Sequence, residues 1–272
     1  MRADIFTTTG ESHLSCQDYS RMGPNSIVLS DGCSSSPDTD IGSRLVALAA
    51  LQVEREGQSG LIIDVEHVAR LAFQMANNMG LTRQDILDAT LLMIQYRRPW
   101  VDITMVGDGV CGWKMDGTTY LIKRNYDGNA PMYVGYVTSD LKDKVKSSME
   151  YMFFDDVGRS GILSLDAVLI EHDKSNGTMK IKIHEDKASM VFVATDGMLS
   201  FYKNVLTETS KTSEVVKLID VAPRFLSFKT LAGQFVSRRA KKALQEMKAD
   251  GCVPMDDFSM GVVLLDKAEE TP

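Results

Sequence analysis

The chain has 272 residues, of which 44% are hydrophobic and 25% charged, enough apolar content for one large domain or two small ones with a sizeable core. Its net charge of −7 excludes general nucleic-acid binding, which needs clustered Lys and Arg against phosphate, and suits a protein that gathers cations. Cys16, Cys33, Cys111 and Cys252 form no CxxC pair, which excludes a zinc ribbon and gives no disulfide framework.

The N-terminus lacks the apolar region of a signal peptide, and no apolar run is long enough to span a bilayer. A cytoplasmic, reduced protein with no membrane and no nucleic-acid partner is the expectation. Basic residues gather at Lys142–Lys146 and Arg238–Lys242, and on an acidic chain both read as solvated helix faces. No repeat or linker divides the sequence, so residues 1–272 are read as a single domain.

In chain order, strands are expected at Asp4–Thr8 and Ser26–Ser30, the latter ending in Asp31-Gly32. Asp40 can cap a helix carrying Ile41, Leu45, Leu48 and Leu51 on one face. A second helix starts after Asp64, with Val65, Val68, Leu71, Ala72 and Met75 as its buried stripe. The pattern then turns to strands: Thr90–Gln95, Val101–Val106, Val110–Met115, Thr118–Lys123, Tyr151–Phe154, Val168–Glu171, Lys180–His184 and Met190–Thr195. Helices return at Ser213–Ile219 and about Gly233–Met247, and a last strand runs over Ser259–Leu265. Strands with paired helices and few βαβ units predict an α+β class: two antiparallel sheets face to face, flanked by helices.

One local pattern recurs, an apolar strand ending in Asp-Gly. It is found at Ile27–Gly32, at Val191–Gly197 and at Ile103–Gly109. A carboxylate there stands on a rigid element and projects past the sheet, and the Gly lets the chain turn so that its carbonyl points the same way. Mg²⁺ and Mn²⁺ favour such oxygen-only surroundings. Each copy alone reads as a turn, because Asp-Gly is also the commonest hairpin signal.

The order of the signatures carries more. Cys16-Gln17-Asp18, Ile27–Gly32, Asp88-Ala89-Thr90-Leu91, Val106-Gly107-Asp108, Ala194–Gly197 and Asp256-Asp257-Phe258-Ser259 together resemble the protein phosphatase 2C family of metal-dependent Ser/Thr phosphatases, in its divergent bacterial and phage-type branch. The resemblance spans nearly the whole chain and implies a four-layer αββα sandwich. It also implies two Mn²⁺ or Mg²⁺ ions bridged by Asp31, with the Gly32 carbonyl on one and Asp196 and Asp256 completing the second, while Asp18 orients metal-bound waters. A third ion would use Asp196 with Asp85 or Asp88; Asp108 is taken as structural and Asp257 as standing at the family's Asn position. The implied partner is a phosphorylated protein, a kinase or a kinase target.

Two positions depart from the pattern. Cys33 stands where eukaryotic members have His, and it is read as a buried, inert thiol. No Arg stands where the family holds phosphate, so His13 is the nearest candidate, with Arg2 or Arg44 as substitutes. These gaps leave a second reading, a pseudophosphatase serving as a phosphoprotein-binding or regulatory module. The stretch 129–159 falls where the family carries a variable flap.

Overall fold

The β-rich runs and turn residues of the sequence form sixteen strands among the described residues, every pairing antiparallel. The structure is a computed structural model describing residues 2–57, 62–127, 131–141, 145–157, 159–162, 169–173, 177–206 and 211–265. The strands are β1 (Arg2–Thr8), β2 (Tyr19–Met22), β3 (Ser26–Ser30), β4 (Leu91–Arg97), β5 (Trp100–Val106), β6 (Gly109–Met115), β7 (Thr118–Tyr126) and β8 (Ser147–Asp155). They continue as β9 (Ser160–Ile162), β10 (Leu169–Asp173), β11 (Thr178–His184), β12 (Met190–Ala194), β13 (Phe201–Leu206), β14 (Lys211–Val215), β15 (Cys252–Pro254) and β16 (Phe258–Leu264). Four α-helices accompany them: α1 (Thr39–Glu56), α2 (Val65–Asn78), α3 (Leu218–Leu226) and α4 (Phe235–Ala249).

Seven strands form one sheet in the order β1-β16-β12-β6-β7-β8-β9, six form another as β10-β11-β5-β4-β3-β2, and β14-β13-β15 make a small third sheet. Alternating side chains sort the core into three slabs. Ile27, Leu29, Ile94 and Ile103 of the six-stranded sheet meet Cys111, Trp113, Val191 and Val263 of the seven-stranded one. Their neighbours Val28, Leu91 and Met93 face α1 and α2, and Phe192, Ala194, Met260 and Val262 face α3 and α4. The layers therefore run α, β, β, α, as two aligned sheets with apolar residues on both faces require. No helix of the described residues is long and apolar enough to cross a membrane.

Several expectations are corrected. α1 starts at Thr39, and its cap position is Asp38, in the left-handed region at φ 59° with no side-chain bond, where Asp40 was expected. Its buried side is broader than a leucine stripe because Ala47, Ala49 and Ala50 pack closely, and Leu48 faces outward at 41% exposure. The helix expected over Ser213–Ile219 is split: Lys211–Val215 pairs with β13 and helix begins only at Leu218. α2 starts after Asp64 as expected, with the Asp64 carboxylate accepting the His67 N–H at 3.1 Å, but its buried side is Val65, Val68, Ala69, Ala72 and Ala76, with Leu71 and Met75 only half-buried.

Within the stretch 129–159, β8 pairs with β7 along all nine of its residues. Residues 129–130, 142–144 and 158 of that stretch lie outside the described residues, as do residues 168, 175 and 176 around the expected β10–β11 hairpin.

Candidate active site

β3 is buried at all five positions, and Asp31 leaves its end where the chain is clamped against residues 88–90. The Asp31 N–H donates to Thr90 Oγ1 at 3.0 Å, the Thr90 N–H donates to the Asp31 carbonyl at 2.8 Å, and Gly32 bridges Ala89. A Cβ on Gly32 would stand 2.4 Å from the Thr39 carbonyl oxygen, so the turn must be glycine. The Asp-Ala-Thr step found in the sequence is thus the brace that aims Asp31.

Asp196 leaves β12 in the same way. Thr195 is the hub: its N–H donates to the Ser259 carbonyl at 3.0 Å, its hydroxyl donates to Asp18 Oδ2 at 2.8 Å, and it accepts the Ser259 N–H at 2.9 Å. Three distant segments, at residues 18, 195 and 259, are locked by one threonine. Gly197 touches the last of them, for a Cβ there would fall 1.9 Å from the Asp257 carbonyl oxygen.

The carboxylates converge electrostatically. Burial first, and then Asp196, Asp18, Asp256 and Asp108, hold Asp31 well above the ordinary carboxylate range. Asp196 is raised in the same sense by burial, Asp108, Asp256 and Asp18. Burial pushes Asp18 up to about 7 against its hydrogen bonds from Thr195 and Ser259, and pushes Asp108 up to about 6. Asp256, raised mainly by burial, is the most open, with its side chain 38% exposed. Oδ1 of Asp18 and Oδ1 of Asp196 are buried with no hydrogen-bond partner, the condition of a carboxylate made to face a cation.

The sequence model of the protein phosphatase 2C family matches residues 9–247. The chain belongs to the protein phosphatase 2C family. No curated protein sequence matches it. Among solved structures it is similar to the catalytic domain of serine threonine protein phosphatase PstP in complex with two manganese ions, at 13% identity and a TM-score of 0.53 over 96% of each chain. It is also similar to the Mycobacterium tuberculosis serine/threonine phosphatase PstP/Ppp, at 13% identity and 0.54 over 97% of this chain and 98% of that one. The S. agalactiae serine/threonine phosphatase aligns at 12% identity and 0.56, over 97% and 99%. These likenesses place the chain in the protein phosphatase 2C fold, the four-layer sandwich expected from the sequence.

Within that family frame Asp18, Asp31, Asp196 and Asp256 lie close enough to act on one another's charge, and Asp108 acts with them. Asp108, flanked by Gly107 and Gly109, both at positive φ, ends the third strand-to-Asp-Gly pattern of the sequence, and only the family resemblance takes it as structural. Asp85 and Asp88 do not join the cluster. Asp85 pairs with Arg83 at 2.7 Å, which lowers its pKa, and Asp88 accepts the Ser36 hydroxyl at 2.8 Å and is raised by burial and by Asp85.

Of the phosphate-holding candidates, His13 alone reaches the site, with Nε2 3.4 Å from Asp256 Oδ1. Arg2 pairs with Leu264 at the opposite end of β1, and Arg44 lies on the exposed side of α1. Cys33 is half-buried, contrary to the sequence reading. Burial pushes its thiol up, but hydrogen bonds with Ser35 and Tyr133 outweigh that and leave it below its ordinary value. A second missed residue is Arg124, buried at 1% exposure, which donates to the Met105 carbonyl at 3.3 Å and opposes the upward shift of Asp108.

Proposed function

We propose that the chain hydrolyses phosphoserine and phosphothreonine on proteins, using Mn²⁺ or Mg²⁺ held by its carboxylate cluster. The observation that carries this reading is the convergence of Asp18, Asp31, Asp108, Asp196 and Asp256, with buried carboxylate oxygens left unpartnered. Like charges at this density repel unless cations neutralise them. Family membership supports phosphoryl chemistry, and the manganese ions of the PstP structure support the class of metal.

The residues fit such ions. The donors are all oxygen, as hard divalent cations require. Among the described residues no group of three or more acidic, His or Cys side chains stands placed to hold an ion by itself, so the Gly32 carbonyl and water would have to supply ligands beside the carboxylates.

Asp31, whose charged neighbours are Asp196, Asp18, Asp256 and Asp108, would hold the ions together with the Gly32 carbonyl, Asp196 and Asp256. When bound, the ions lower the pKa of a water and neutralise phosphoryl oxygens. The chain's own part is to orient and hold. Asp18, fixed through Oδ2 by Thr195, keeps Oδ1 free to orient water, and His13 holds a phosphoryl oxygen beside Asp256. Direct displacement by water needs no covalent enzyme intermediate, so Cys33 has no nucleophilic role.

Phosphate release from phosphopeptides with and without Mn²⁺ tests the proposal. Asp31→Ala and Asp196→Ala are each expected to abolish turnover of para-nitrophenyl phosphate while the chain stays folded; full activity of either variant would overturn it. Cys33 and His13, where the family pattern has His and Arg, favour a second reading as a phosphoprotein-binding module. Calorimetry showing phosphopeptide binding with no phosphate release would select that reading.

A further inference from the structure

The stretch Arg238–Lys242, which the sequence marks only as a solvated helix face, lines a groove of about 560 Å³, within the size range of binding clefts. Arg238, Lys241, Lys242 and Gln245 follow one another at helical spacing along one side of α4, and Phe228, Lys229 and Thr230 of the preceding loop line the groove with them. The rings of Phe228 and Phe235, edge to face with centroids 5.1 Å apart, contribute apolar surface. Phe228, Lys229 and Arg239 also line a second hollow, where Leu231 is exposed, so the two run together and admit an extended segment.

The charge of the groove opposes that of the chain. Although the net charge is −7, the first hollow is lined by Lys and Arg with no Asp or Glu among the described residues. Arg239 and Lys242 both turn to a single carboxylate, Glu246, at 3.1 Å and 3.7 Å. Lys229, Arg238 and Lys241 have no acidic partner among the described residues. Arg238 is instead held by neutral acceptors, donating to the Ala232 carbonyl at 2.6 Å and to Thr230 Oγ1 at 3.2 Å. Its guanidinium is fixed in place with its charge uncompensated.

A basic hollow on an acidic chain discriminates between anions by their extent. A bilayer surface or a nucleic-acid duplex reaches well past the groove and meets the negative remainder of the protein. A short acidic segment meets the groove alone, because exposed charges more than about 10 Å away are screened. The groove also stands clear of the clustered carboxylates. Asp4 caps the start of α4 and pairs with Val262, which lies about 20 Å along the chain from Asp256 at strand spacing.

We propose that this groove is a docking site for an acidic segment of a partner protein. The proposal goes beyond the phosphatase reading and does not depend on it.

The test is fluorescence anisotropy on the full-length chain with a short labelled peptide of glutamates around a central leucine, so no turnover is needed. Saturable binding that weakens as salt rises is expected. Lys229→Glu with Lys241→Glu breaks no ion pair of the chain and changes only exposed side chains, so folding is expected to persist, as read by thermal melting. This pair is expected to weaken binding about tenfold or more, since each reversal loses an attraction and gains a repulsion. Lys146→Glu with Lys187→Glu, the same charge change at exposed positions outside the groove, is expected to weaken it less than about twofold. Equal weakening by the two pairs would overturn the proposal, as would undiminished binding of a peptide with glutamine in place of glutamate. So would the absence of peptide binding up to about 1 mM, or binding of phosphatidylglycerol vesicles or duplex DNA in its place.

Discussion

At the scale of single residues, the site trades stability for chemistry. Asp31 and Asp196 are raised far above the ordinary range by burial and by one another, so the metal-free protein carries repulsion that a packed core would not choose. Asp196→Asn is expected to raise the melting temperature of the chelated protein, by about 2–4 °C for each kcal/mol of repulsion relieved, while phosphate release is lost. Unchanged or lower melting in chelator would show that the cluster is not under strain. Asp31 and Asp196 were legible in the sequence because a buried apolar strand fixes where its last residue points. Asp108 ends the same strand pattern and was as visible; the family resemblance, which takes it as structural, set it aside. The short helical turn at Gln84–Leu87 holds Asp85 beside Arg83, a direction that its proximity in sequence to Thr90 does not set.

At the scale of elements, secondary structure followed periodicity wherever one partner surface dominated. Over Ser213–Ile219 the sequence supports either a helical stripe or a strand, and the open edge of β13 decides for strand as far as Val215. α4 shows the reverse dependence. Its own cap position, Gln234, makes no side-chain cap, and the helix start is satisfied from β1: Asp4 Oδ2 accepts the N–H groups of Val236 at 2.7 Å and Ser237 at 3.2 Å. No local rule reveals a cap supplied from more than two hundred residues away. Asp4→Ala is expected to cost about 1–2 kcal/mol of stability and to leave kcat/KM for a small phosphate ester unchanged, as read by denaturant unfolding beside steady-state kinetics. A kinetic defect without loss of stability would contradict the capping role.

At the scale of the whole molecule, the sandwich order was legible because each central strand is apolar on both faces, which only a four-layer stack accommodates. The third sheet was not, for its strands are short and β15 has only three residues. The clustered acids come from both large sheets: Asp31 leaves the six-stranded sheet, and Asp196 and Asp256 flank strands of the seven-stranded one. Under the proposed function a cation held between them would act as a rivet across the sandwich. Saturating Mn²⁺ at about a hundred times its Kd is expected to add about 2.7 kcal/mol to stability, and chelation should speed proteolysis and hydrogen exchange at the Gly32–Ala89 bridge ahead of the outer helices. Under that function the sheets and the reaction would draw on the same ions, and a chain starved of metal would loosen along its central seam as it falls silent.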